Sequence, residues 1–137
     1  MHTMARTLIV EDEAALAGAM SDTLAAAGHE TLAVNVGEKA MAAFADFSPQ
    51  IVILDVRLGG ISGLDLLEQM KTAEPATEVI IVTAYGNVET AVDAMKRGAS
   101  EFMMKPIDLD VLAVTVDRVW DASRARRQLE QFRSAQA

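Results

Sequence analysis

The chain contains no cysteine, which excludes disulfides, zinc–thiolate centres and a cysteine nucleophile. Aromatic residues make up only 4% of it, so any core must be built from Val, Ile, Leu, Ala and Met. Basic residues are outnumbered, with 12 Lys and Arg against 20 Asp and Glu. The resulting formal charge of −8 argues against nonspecific binding of nucleic acid or of an anionic membrane by the body of the domain. No apolar run approaches the ~20 residues needed to span a bilayer. Arg6 and Glu11 bracket the first apolar run, which is too short for a signal peptide. The default expectation is therefore a cytoplasmic protein. What is present suffices for one ordinary domain: 137 residues, 51% of them hydrophobic. Residues 1–5 are expected to be disordered or vector-derived, with Met4 as a candidate native start.

Strand-like and helix-like patterns alternate five times. Residues 7–10 read as the first strand, 30–34 as a weaker second, 51–54 as the third, 79–82 as the fourth and 102–104 as the fifth. The first helix is expected over 14–27, with Gly28 as its stop. The second covers 37–47, with Ala40, Ala43, Phe44 and Phe47 on one face, and ends at Ser48-Pro49. The third covers 64–72, where Leu64, Leu67 and Met70 recur at helical spacing. The fourth covers 88–97, with Val88, Ala91, Val92 and Met95 as its inward stripe and Gly98 as its stop. The fifth begins at Leu109. Such alternation predicts a doubly wound α/β fold, with parallel strands joined by right-handed crossovers and helices on both faces. His29, at the exit of the first helix, reads as a surface turn residue.

The last helix is expected to outrun the compact body, over 109–132. Leu112, Val116 and Val119 suit packing on the sheet. Beyond Trp120 the apolar stripe shifts to Ala122, Ala125, Leu129 and Phe132, three and four apart as in a coiled-coil seam. Two readings stand: a seam that pairs with a second copy, or a solvated helix end. Arg124, Arg126, Arg127 and Arg133 suit a helix C-terminus and read as a solvated face rather than a nucleic-acid patch.

The chemistry-bearing residues sit at strand ends. The run Ile51-Val52-Ile53-Leu54 suits a strand buried on both faces, and Asp55 ends it. Glu11 and Asp12 end the first strand, Thr83 the fourth, and Lys105-Pro106 follows the fifth. The carboxyl ends of parallel strands are where open α/β sheets bind ligands. Converging acids would repel one another and raise each other's pKa unless a cation intervened. Oxygen ligands of this kind suit Mg²⁺, and Mn²⁺ would also fit. Asp55 is the best candidate to react, because a carboxylate can attack phosphorus and form an acyl phosphate. Lys105 can then pair with phosphoryl oxygens as a point charge, and Thr83 can donate its hydroxyl. An X-Pro bond tolerates cis geometry, which here would aim Lys105 back over the strand ends.

From about Arg6 to about Trp120 the chain resembles the receiver domain of two-component response regulators. The segments that carry the resemblance are LIVEDE (8–13), ILDVRLGGISGLDLL (53–67) and VTAYGNVETAVDAMKRGASEFMMKPID (82–108). The last looks most like receivers of enhancer-binding transcription activators of the nitrogen-regulation class. The resemblance implies a flavodoxin-like (βα)5 fold with strand order 2-1-3-4-5, extended here by the long C-terminal helix. It implies that Asp55 accepts a phosphoryl group from a histidine kinase or phosphotransfer protein. Asp12 and Asp55 would ligate Mg²⁺ directly, with the Arg57 backbone carbonyl, and Glu11 would act mainly through water. Thr83 and Lys105 would contact the phosphoryl group, and Thr83 and Phe102 would form a paired switch. The output face would be the fourth helix, fifth strand and fifth helix, controlling a downstream output domain.

The chain departs from the family in places. The family usually has proline where Gly59 stands, so Gly59-Gly60 should loosen that loop. Arg57 and Tyr85 occupy positions that tune phosphoryl-group lifetime in the family, and their bulk suggests slow hydrolysis. Two competing readings are weaker. A pseudo-receiver that binds partners without phosphorylation is disfavoured by the intact Asp12, Asp55, Thr83 and Lys105. An α/β phosphohydrolase would need an acid or base two residues past its nucleophile, where Arg57 stands. The expected organisation is a receiver over 6–120 and a helical linker or tail over 121–137, either part of a larger regulator or a stand-alone receiver. A second copy could pair through the output face or the C-terminal helix, and the oligomeric state is not legible in the sequence.

Overall fold

A computed structural model describes residues 4–136. Residues 1–3 of the segment expected to be disordered or vector-derived, and Ala137, lie outside the described residues. The elements follow as β1 (Arg6–Val10), α1 (Ala14–Ala26), β2 (Glu30–Val34), a 3₁₀ turn (Gly37–Lys39), α2 (Ala40–Phe47), β3 (Ile51–Leu54), β4 (Arg57–Leu58), β5 (Ile61–Ser62), α3 (Gly63–Ala73), β6 (Glu78–Thr83), α4 (Val88–Lys96), β7 (Glu101–Met104) and α5 (Leu109–Gln136). Five strands form one parallel sheet in the order β2-β1-β3-β6-β7. This is the expected order of five, renumbered because β4 and β5 intervene. Those two make an antiparallel hairpin that the sequence pattern does not announce, turned by Gly59 at φ 69° and Gly60.

Strand periodicity divides the core in two. Leu8, Val10, Val52, Leu54, Val79 and Ile81 face α2, α3 and α4. Ile9, Ile51, Ile53, Ile80 and Val82 face α1 and α5, where Met20, Leu24, Leu112, Val116 and Trp120 meet them. Every residue of β3 and β6 is buried, as a central parallel strand requires. Each such aliphatic side chain contributes about 1.5–3 kcal/mol of burial free energy. Polar side chains cap α3, α4 and α5: Ser62 Oγ accepts from Asp65 N, Asn87 Oδ1 from Thr90 N, and Asp108 Oδ1 from Asp110 N and Val111 N. No helix is long and apolar enough to cross a membrane among the described residues.

Three expectations need correction. The α4 stripe is turned outward: Val88 is 79%, Val92 46% and Met95 48% exposed, and Ala94 is the buried residue. The helix seats through small side chains, Ala94 with Ala99 below it. Arg97 ties it to α3, reaching Asp65 and Glu68 there and Asp93 on α4 itself. Periodicity shows which residues share a face, not which way that face points.

His29 is no surface residue. It is 4% exposed, its Nδ1 accepts from the Ala5 amide at 3.1 Å, and its Nε2 lies 2.7 Å from Asp117 Oδ1. A backbone N–H can only donate, so the ring proton sits on Nε2 and points at Asp117. The imidazole thus clasps the start of β1 to α5.

The arginines of the tail are not simply solvated. Arg126 pairs with Glu78, and Arg127 donates to Ala76 O at 2.9 Å while lying 5.5 Å from the Trp120 ring centre. Ser123 is buried as well. Helix α5 therefore stays on the body past residue 120, while Leu129 and Phe132 are exposed beyond it.

The clasp gives a test. His29→Leu removes the acceptor for Ala5 N and the donor to Asp117, and should lower stability in urea by about 2 kcal/mol. A turn residue on the surface would change it by less than about 0.5 kcal/mol.

Candidate functional site at the carboxyl ends of the strands

Parallel pairing delivers the polar residues to one edge. Val10 lies opposite Leu54, Leu54 opposite Ile81, and Thr83 opposite Met104. The next residues along β1, β3 and β7 are therefore Glu11, Asp55 and Lys105. The ladder extends one step into them: Asp55 N donates to Val10 O at 3.3 Å, Glu11 N to Val34 O at 3.0 Å, and Lys105 N to Thr83 O at 2.9 Å. Lys105-Pro106 is cis.

Glu11, Asp12 and Asp55 bring ligand oxygens within 4.8 Å of one another. Glu11 and Asp55 are buried, at 1% and 3% exposure, whereas Asp12 is open. The Lys105 ammonium sits between the two buried acids, 2.6 Å from Glu11 Oε1 and 2.8 Å from Asp55 Oδ2. The remaining oxygens accept backbone amides, Asp55 Oδ1 from Arg57 N at 3.2 Å and Glu11 Oε2 from Glu13 N at 3.1 Å. Burial raises the Glu11 pKa, and the hydrogen bond from Lys105 only partly offsets it. Burial also works against the Lys105 ammonium, but hydrogen bonds to Asp55 and Glu11 outweigh it and hold its pKa above the ordinary value. Three carboxylates against one ammonium leave a surplus of negative charge. Hard carboxylate oxygens at this separation fit a divalent cation such as Mg²⁺.

Thr83 is fully buried, and its Oγ1 accepts from Tyr85 N at 3.1 Å. Phe102 lies on β7 opposite Ile81, so it shares a sheet face with Thr83, and it is half-buried. Its ring packs against the loop after β6: a Cβ on Gly86 would come within 2.9 Å of it and 2.1 Å of Met104 Sδ. Arg57 stacks on Tyr85, with its guanidinium carbon 4.0 Å from the ring centre. The pair borders an open cleft of about 580 Å³, lined also by Asp12, Asp55, Gly59 and Lys105.

Two residues escape sequence reasoning. Glu13 supplies an amide to Glu11 and opens α1. Gly63 begins α3 beneath the carboxyl end of β3, where an added Cβ would lie 1.8 Å from Asp55 O. A glycine just after the Ser62 cap was the available signal.

Acids from two adjacent parallel strands, bridged by a lysine from a third, define a single α/β domain with an acidic cluster at one sheet edge. Residues 7–117 match the response regulator receiver domain, and the chain belongs to that family. It is 36% identical over 135 residues to regulatory protein AtoC of Escherichia coli, covering 98% of this chain and 29% of that protein. It is 41% identical over 114 residues to response regulator protein FleR of Pseudomonas aeruginosa, covering 83% of this chain and 24% of that protein. Among solved structures it is similar to NtrX of Brucella abortus, with TM-score 0.89 and 34% identity over 96% of this chain and 30% of that one. The signal receiver domain of a Luxo repressor protein from Vibrio parahaemolyticus superimposes with TM-score 0.87 at 31% identity, over 93% of this chain and 98% of that one. The chain thus spans less than a third of the curated relatives named. These relatives agree with the resemblance to nitrogen-regulation-class receivers.

Gly63→Ala should cost about 3 kcal/mol through overpacking against the Asp55 carbonyl, read as a lower urea midpoint. Gly60→Ala, with open space around its Cβ, should leave the midpoint nearly unchanged.

Proposed function

We propose that Asp55 is the phosphoacceptor of a two-component relay, taking a phosphoryl group from a histidine kinase or phosphotransfer protein. The observation that carries this is the joint placement of a buried Asp55, the acids Glu11 and Asp12, and the Lys105 ammonium at one sheet edge. A carboxylate oxygen of Asp55 attacks phosphorus. The bond from phosphorus to the donor nitrogen breaks, and the nitrogen keeps the electron pair. Water later attacks the same phosphorus, releasing phosphate and restoring the carboxylate. The chain promotes both steps on itself and has no separate substrate, so it acts as a switch rather than a turnover enzyme.

The Asp12, Asp55 and Glu11 carboxylates and the Arg57 backbone carbonyl would hold Mg²⁺, or Mn²⁺, which supplies positive charge against the incoming phosphoryl oxygens. The new group adds about −1.5 to −2 charge at neutral pH. Lys105 offsets part of this by turning from the Asp55 carboxylate to a phosphoryl oxygen. The Thr83 hydroxyl gives up the Tyr85 amide to donate to another, and Phe102 moves with it. The α4–β7–α5 face reads the change, since α4 is anchored through few small residues and already presents apolar side chains. On this reading residues 6–120 form the receiver. Residues 121–137 link it to an output domain, a transcription activator, in the cytoplasm. Two surfaces are candidates for pairing with a second copy, the α4–β7–α5 face and the exposed Leu129–Phe132 end of α5.

Incubation with acetyl phosphate and Mg²⁺ should add roughly 80 Da, the mass of one phosphoryl group. The gain should appear in the wild type and not in Asp55→Asn, and should vanish with a chelator. No gain under any condition would turn the reading to a module that binds its partner without phosphorylation. The stacked Arg57 and Tyr85 should obstruct attacking water, giving an acyl phosphate that lasts minutes or longer. Replacing both with alanine should speed decay of the phosphorylated mass about tenfold, or some 1.4 kcal/mol of barrier.

A further inference from the structure

The opposite pole of the sheet holds a second concavity. It measures about 500 Å³ and gathers at the amino ends of β1, β3 and β6, where Arg6, Gln50 and Thr77 stand. Phe44 from α2 and Pro49 form an apolar wall, and Arg127 from α5 closes one side. This volume is ordinary for a small-molecule pocket.

Its charge is unusual for so acidic a chain. Arg6 donates through Nε to Phe47 O at 3.1 Å and through Nη2 to Ser48 O at 2.7 Å. Arg127 donates through Nη2 to Ala76 O. All these acceptors are neutral carbonyls, and neither guanidinium forms an ion pair with a carboxylate among the described residues. The single acid on the lining, Glu74, is exposed and accepts from Ala76 N. Two oriented cations are therefore held at the cavity without an ion-pair partner among the described residues.

A second observation points the same way. Arg127 Nε and Thr77 Oγ1 are buried and have no hydrogen-bond partner among the described residues, and Thr77 as a whole is 1% exposed. A purely structural clamp accounts for the Arg6 bonds to Phe47 and Ser48. It does not account for a guanidinium Nε buried without an acceptor. Buried polar atoms in folded proteins are generally satisfied, so these two orphans show that the chain leaves hydrogen-bonding capacity unused beside the cavity.

We infer that this cavity binds a small organic carboxylate, with its acid group on the guanidinium edges and its apolar body against Phe44 and Pro49. Fork-shaped donors match carboxylate geometry, and the apolar wall favours an acid with a flat hydrocarbon portion over a bare inorganic anion. The site is independent of Asp55. Because Arg127 belongs to α5, an occupant would also bear on how that helix is seated.

The test is an amide NMR titration of the whole ¹⁵N-labelled chain with benzoate, benzamide and inorganic phosphate. Benzoate should give saturable shifts at Ser48, Gln50, Ala76 and Thr77, with a dissociation constant on the order of 1 mM for so small a probe. Benzamide, lacking the charge, should bind at least about tenfold more weakly. Arg127→Ala should weaken benzoate about tenfold, and Arg6→Gln, which can keep a bond to the Ser48 carbonyl, provides the same reading should Arg127→Ala unseat α5. The inference is overturned by shifts that never saturate, by equal binding of benzamide, by phosphate matching benzoate, or by both variants binding as the wild type does.

Discussion

The placement of the Lys105 ammonium between Glu11 and Asp55 is the contact on which the carboxyl edge of this protein depends. It sets a positive charge between two buried carboxylates that would otherwise repel one another, with a third just outside. The sheet order β2-β1-β3-β6-β7 makes the contact available, because it sets β1 beside β3 and brings β7 within a side chain's reach. The same arrangement leaves negative charge in surplus. The resting site is therefore balanced for a fold but short of positive charge for chemistry, and a divalent cation is the natural remedy.

The two faces of the sheet differ in how firmly they are covered. Helices α1 and α5 bury Met20, Leu24, Leu112, Val116 and Trp120, and the His29–Asp117 contact fastens them to the start of β1. Helix α4 contributes Ala94 and holds its place partly through Arg97 and its acidic neighbours on α3 and α4. Ion pairs of this exposed kind are individually weak. Helix α4 is thus the loosely seated element of a face on which α2 and α3 bury Phe44, Leu66, Leu67 and Met70, and Phe102 lies on that face.

Much of this was legible because buried parallel strands write themselves plainly. Ile51 to Leu54 and Val79 to Val82 are continuous apolar runs, and the residues that end them mark the site. Glu11, Asp12, Asp55 and Lys105 were found in this way, and the structure gathers them. What escaped depends on long-range placement. His29 looks like a turn residue until Asp117, 88 positions away, arrives beside it. The apolar stripe of α4 has the right period but the wrong direction, since a spacing pattern carries no sign. Arg126 and Arg127 look solvated because their partners, Glu78 and Ala76, lie at the start of a strand far back in the chain.

Helix α5 runs for 28 residues without a break, about 42 Å at 1.5 Å per residue. It is held against the body as far as Arg127 and only its last turns project, so it behaves as a lever with its fulcrum near Arg127. The projecting arm is roughly 13 Å long, and a tilt of about 10° at the fulcrum would carry its tip some 2 Å sideways. That is enough to put one row of side chains out of step with a partner surface. Rearrangements too small to alter the core could thereby be amplified, with the gain set by the length of a single uninterrupted helix.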